Sequence, residues 1–286
     1  MSKVDQFESV FRSALKESYE YRPIEYTSIL VVTDLQPDEA KGFTASIQDY
    51  CAALHIDGGV SWETLAEGDL SSTQDLLQHV EAGGFDLLIS YRNLFTDTWR
   101  YPHSLGEYLD VLIQRASVPV MVLPNPRAGT ALTHAMIDTN VVMVITDHMV
   151  ANHRLIDYAV SFTEDKGTLW LAHIEDEAVF ERYIEVISKI SSIDTDEARE
   201  KIARQLLKEP REYIAAVREK LRQKALPIAV ESIVTFGHRL AEYKRYVEQH
   251  KVDLLVMNAK DDQQLAMHGL AYPLAVEIRS IPLLMV

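Results

Sequence analysis

A chain that repeats the same apolar strand and closes both copies on Thr-Asp has few folds open to it. The strands are ILVVTD at 29–34 and VVMVITD at 141–147. Each is followed by a matched later pair: FDLLIS (85–90) with SVPVMVLP (117–124), and VDLLVM (252–257) with SIPLLMV (280–286). Short apolar runs alternating with amphipathic helices imply parallel strands joined by right-handed crossovers. The runs carry almost no polar residue, as strands covered on both faces require. The expectation is an α/β chain of two tandem doubly wound units with parallel sheets.

The first unit reads strand 28–34, helix 38–54, strand 59–66, helix 70–81, strand 85–90, helix 104–116 and strand 117–123. Before it, Phe7, Val10, Phe11 and Leu15 stand at helical spacing, so residues 1–27 are read as a leader with a short amphipathic helix. The first domain then covers 28–125, and Pro124 and Pro126 open a linker over 126–139. The second domain, 140–286, reads strand 140–146, helix 149–164, strand 168–174, strand 227–236, helix 238–250, strand 252–257, helix 270–280 and strand 281–286. It carries a charged helical insert at about 175–225. In the insert, Asp194 with Glu197 makes a capping-box-like start, and Pro210 is placed to open another helix. From Asp34 to Pro119 is shorter than from Asp147 to Pro282, so the first copy is read as lacking one strand and its helix.

Composition excludes several classes. The net charge of −15 repels phosphodiester backbones and anionic membranes, so nucleic acid is not expected as a partner. No apolar run reaches the roughly 18 residues of a membrane span, so no membrane insertion is expected. The single cysteine, Cys51, excludes an intramolecular disulfide; it reads as a buried small hydrophobe in a reducing, cytoplasmic setting.

The chain resembles the universal stress protein family, and within it the tandem members with two domains in one polypeptide. The likeness rests on ILVVTD and VMVITD, the strand ends AEGD (66–69) and TFGH (235–238), and the strands FDLLIS and VDLLVM. It extends to the closing segments 105–123 and 268–286. In family members that bind ATP, the aspartate ending the first strand contacts adenine. A loop of form Gly-x2-Gly-x9-Gly-Ser/Thr holds the ribose and phosphates. Glycines let backbone N–H groups reach phosphate oxygens at a helix N-terminus.

By that resemblance Asp34 and Asp147 occupy the adenine position, and Gly106 and Gly269 the last glycine. The earlier glycines are missing: the loops read SYRNLFTDTWRYPHSLGE and MNAKDDQQLAMHGLA. Glu107 and Leu270 stand where a hydroxyl belongs, and Asp261 and Asp262 add negative charge. The four positions therefore read as vestigial, with Asp34 and Asp147 as helix caps or local hydrogen-bonding groups. No cofactor is expected, with ATP or AMP as the alternative.

The remaining polar candidates take ordinary readings. His173, Glu175 and Asp176 lack metal-ligand spacing and read as a solvated turn. His103, His238 and His268 read as loop or N-cap residues, and Arg92, Arg100 and Lys260 as surface charge. The expected function is a non-enzymatic stress protein acting through protein contacts or small-ligand sensing. The alternatives are a nucleotide switch or weak ATPase with a rebuilt loop in the second domain, or a soluble regulatory subunit of a transporter. The apolar closing strands 118–123 and 282–286 are edges in need of partners, so the two domains are expected to pair through them; a further homodimer is a possibility.

Overall fold

The computed structural model describes residues 19–54, 59–100, 104–146, 153–259 and 270–286. The leader helix expected at 5–18, together with Asp147, Gly269, His103, His268 and Lys260, lies outside the described residues.

Among the described residues nine strands form one sheet in the order β2-β1-β3-β4-β9-β8-β5-β6-β7. The first half contributes β1 (Ser28–Val32), β2 (Ser61–Leu65), β3 (Leu87–Tyr91) and β4 (Val120–Leu123). Between them run α1 (Pro37–Tyr50), α2 (Thr73–Gly83) and α3 (Glu107–Arg115). The second half contributes β5 (Val141–Ile145), β6 (Thr168–Asp176), β7 (Ala229–Gly237), β8 (Leu254–Met257) and β9 (Leu283–Met285). Its helices are α4 (His153–Phe162), α5 (Glu177–Ser188), α6 (Thr195–Gln223), α7 (Arg239–Gln249) and α8 (Ala271–Glu277). This is the α/β architecture read from the sequence. All pairings are parallel except one.

The exception joins the halves. β4 runs antiparallel to β9, setting Val120 opposite Met285, Met121 opposite Leu284 and Val122 opposite Leu283. All six side chains are buried. The seam is therefore core, and each such side chain contributes about 1.5–3 kcal/mol on leaving water. Further ties cross it. The Tyr50 hydroxyl at the end of α1 donates to the Asp253 carbonyl at 3.2 Å. Ahead of β1, the Tyr19 hydroxyl donates to the buried Asp157 of α4 at 2.7 Å, and Tyr26 bonds Ser161 at 3.0 Å.

The shortening of the first half falls elsewhere than the sequence suggests. The likeness of AEGD to TFGH equates β2 with β7. In space β2 lies against β1, from Ser28↔Ser61 to Val32↔Leu65, and its counterpart is β6, which lies against β5. What the first half lacks is a strand at the outer position that β7 fills in the second. A single crossover through α1 carries the chain only to the adjacent slot, so the strand after α1 takes the inner place.

The insert also departs from expectation. Pro210 opens no new helix; it lies inside α6, which runs unbroken for 29 residues. Proline lacks the N–H that the Leu206 carbonyl would accept, and packing carries the helix across that gap, since Pro210, Tyr213, Ile214, Val217 and Leu221 are buried. The same helix shields the sheet's edge. Arg218 donates to the Val230 carbonyl at 2.8 Å and Arg211 to the Val234 carbonyl at 3.3 Å. These occupy outward-facing groups of β7 that another strand would otherwise find free.

Candidate functional site

In doubly wound sheets the ligand crevice lies beyond the carboxyl ends of the central strands. In the first half these are the ends of β1 and β3, where Thr33, Asp34, Tyr91 and Arg92 are all buried. Asp34 is only 5% exposed. Its carboxylate is held by three groups of the chain. The Tyr91 hydroxyl donates to Oδ1, and the Phe95 N–H donates to Oδ2 at 2.9 Å. The Arg127 guanidinium reaches Oδ2 at 2.8 Å and the Asp34 carbonyl at 3.0 Å. Tyr91 in turn accepts the Asp34 N–H at 3.0 Å and shares a bond with Thr33 Oγ1 at 2.9 Å.

The electrostatics follow from this geometry. Burial first, then the bond to Asp34, raises the Tyr91 phenol further above its ordinary range, so it remains a neutral donor. For Arg127, burial works against the charge, but the hydrogen bond and attraction from Asp34 outweigh it and the guanidinium is held more firmly charged. Arg127 belongs to the linker, which is anchored as it passes the crevice. Asn125 donates to the Arg92 carbonyl at 2.7 Å and accepts from the Arg127 N–H at 2.9 Å.

Gly106 has a steric role that needs no phosphate. Its φ is +92°, and a Cβ there would stand 2.7 Å from the Asn93 backbone. The Asn93 N–H donates to the Leu105 carbonyl at 2.7 Å, which pins the segment after β3 onto the start of α3. The first turn of α3 carries Glu107 and Asp110, which complement the helix dipole from within.

Arg92, read from sequence as surface charge, is buried across the seam. Its Nε and Nη2 donate to the Ala275 carbonyl at 3.1 and 2.7 Å, and Nη2 donates to the Ile278 carbonyl at 2.6 Å. It thus closes the C-terminus of α8, where carbonyls lack helical partners. Burial, and after it the charge of Arg279, pulls its pKa down to about 9.

In the second half, His173 is buried and does not lie in a solvated turn. Its Nε2 bonds Glu175 at 2.8 Å, and Nδ1 faces the Thr146 carbonyl at 3.3 Å. Asp176 caps α5 through the N–H groups of Ala178 and Val179 at 2.9 and 3.1 Å. His238 stands at the N-cap of α7, exposed and without a capping bond. Cys51 is buried, and burial pushes its thiol up to about 12, which makes it unreactive. Among the described residues no group of three or more His, Cys, Asp or Glu is placed to hold a metal. No helix among them is long and apolar enough to cross a membrane.

This mostly parallel sheet is similar in fold to solved universal stress proteins. A universal stress protein of Archaeoglobus fulgidus superposes over 90% of this chain and 95% of its own, with a TM-score of 0.50 and 10% identity. A functionally unknown protein of Pseudomonas aeruginosa superposes over 91% of this chain and 92% of its own, with a TM-score of 0.51 and 16% identity. The fold is shared at low sequence identity. No family model matches the sequence, and no curated protein matches it.

Proposed function

We propose that this chain is a tandem universal-stress-type protein without enzymatic activity, acting in the cytoplasm through protein contacts or by sensing a small ligand. In this reading it does not hold ATP in the manner of the family. The observation that carries the reading is the closure of the first crevice on itself. Asp34, at the adenine position, is bound by Tyr91, the Phe95 N–H and Arg127. An adenine would have to displace all three and leave Arg127 without its carboxylate. Gly106 serves close packing against Asn93, which accounts for its presence without a phosphate. The loop of the second half, MNAKDDQQLAMHGLA, supports the same reading through its missing glycines and paired aspartates.

Thermal unfolding with millimolar ATP and magnesium tests this. The midpoint is expected to stay where it lies without nucleotide. A ligand present at about 100 times its dissociation constant adds roughly 2.7 kcal/mol. For a chain of this size that is a rise of several degrees. A saturable rise of that size with ATP would overturn the reading.

A further inference from the structure

The two ends of the sheet are finished differently. In a parallel ladder alternate residues turn both backbone groups toward the same neighbour. Ser61 donates its N–H to the Thr27 carbonyl at 2.8 Å, and the Leu65 carbonyl accepts the Thr33 N–H at 2.9 Å. Ser61, Glu63 and Leu65 therefore face β1, and Trp62 and Thr64 turn their N–H and carbonyl groups outward. At the other end the same alternation turns Val230 and Val234 outward, and Arg218 and Arg211 occupy their carbonyls. Among the described residues nothing occupies the outward groups of Trp62 and Thr64. The side chains of β2 are already engaged: Thr64 bonds Thr44 of α1 at 2.9 Å, and Glu63 bonds His79 of α2 at 2.6 Å. What the edge offers is backbone, in the slot that β7 fills beside β6.

We propose that the β2 edge is a docking site for an extended, basic segment of another protein, added to the sheet as a further strand. Main-chain bonds at Trp62 and Thr64 hold it, and charge selects its composition. From Leu35 to Tyr91, the stretch that builds α1, β2, α2 and β3, ten acidic residues stand against one basic residue, Lys41. This stretch carries −9 of the chain's −15 in 57 of its 286 residues. Lys41 is itself paired with Asp38 at 3.3 Å. Glu67 and Asp69 directly after β2, and Asp75 and Glu81 on α2, are exposed. Lysine or arginine at alternate positions of an added strand meets this field at short range. A second copy of the chain does not suit the slot. Two β2 edges paired antiparallel through Trp62 and Thr64 set Glu63 opposite its twin and bring two acidic faces together. The site rests on the protein-contact reading above, and peptide binding is measured apart from nucleotide binding, so either can fail alone.

Isothermal titration of the full chain with a synthetic peptide of about ten residues, lysine alternating with threonine, tests this. Saturable binding in the micromolar range is expected, weakening as salt is added. The same peptide N-methylated throughout keeps its charge but loses its donors, and is expected to bind about tenfold more weakly or worse. Thr64→Pro removes an outward N–H and no bond to β1, a place where an edge strand tolerates proline. It is expected to weaken binding by a similar factor, with circular dichroism and thermal midpoint close to the wild type. Glu63→Gln/Glu67→Gln, which keeps an acceptor for His79, is expected to weaken binding about three- to tenfold. The methylated peptide and this charge variant decide the matter if Thr64→Pro fails to fold. Absence of saturable binding overturns the proposal. So does equal affinity for the methylated peptide, which leaves attraction of charge alone, or for a peptide with glutamate in place of lysine. A wild type that is dimeric and becomes monomeric on Thr64→Pro puts a second copy on the edge and overturns it as well.

Discussion

Replacing Arg92 by alanine is expected to lower unfolding stability by about 3–5 kcal/mol, the cost of leaving buried partners of a lost charged group unpaired. The substitution empties a buried volume and strips two carbonyls at the end of α8, those of Ala275 and Ile278, of their donors. Because β3 and α8 belong to different halves, the loss falls on the seam. Arg92→Lys is expected to recover little, since one ammonium cannot reproduce the forked contact. Chemical denaturation followed by far-ultraviolet circular dichroism measures both variants. An Arg92→Ala protein within 1 kcal/mol of the wild type would mean that the β4–β9 pairing holds the halves without the clamp.

The second large effect sets two related aspartates against each other. Asp86 and Asp253 follow the same pattern, FDLL and VDLL, and each receives the backbone of its half's leading strand. Asp86 accepts the Thr27 N–H at 2.6 Å, the Thr27 hydroxyl at 2.7 Å and the Ser28 N–H at 3.0 Å. Burial opposes its charge, but those donors outweigh it and its pKa is lowered. Asp253 accepts the Val141 N–H at 2.8 Å and has His134 only at 3.9 Å. Burial, reinforced by nearby Asp138, raises its pKa to about 6.

The signs are opposite. The stability that Asp86 contributes is present above the ordinary carboxylate pKa and is lost as pH falls through its lowered value. Asp253 favours the folded state while protonated, and that contribution is lost as pH rises from about 4 to about 6, a swing of roughly 2 kcal/mol. Asp86→Asn should therefore cost about 1–2 kcal/mol at neutral pH. Asp253→Asn should be neutral or stabilising there, and should flatten the stability profile between about pH 4 and 6. Equal losses from the two substitutions would show that the halves treat the motif alike.

Much of the fold was legible because parallel strands covered on both faces leave a plain signature, and ILVV, LLIS, VMVI and LLVM carry it. The placement of β2 was not legible. Sequence likeness paired its end with that of β7, while the slot it takes depends on where α1 crosses. The candidate site was half legible. Asp34 and Gly106 stand out in the sequence, but one of the groups that hold Asp34 is Arg127, 93 positions away in a stretch read only as linker. Arg92 looked like surface charge because arginine usually is. Nothing local reveals that a helix from the other half ends over it.

The antiparallel seam also governs the order in which the molecule can be finished. β9 is ninth along the chain but fifth across the sheet, between β4 and β8. On the ribosome, β4 emerges long before its partner. At about 5–20 residues per second, the 160 positions from Leu123 to Leu283 take roughly ten to thirty seconds to synthesise. Throughout that interval the apolar edge of β4 stands open in a half that is otherwise able to collapse. The nascent chain is thus most exposed to sticking to its neighbours late in translation, and the central strand that ends the hazard is the last of the nine to arrive.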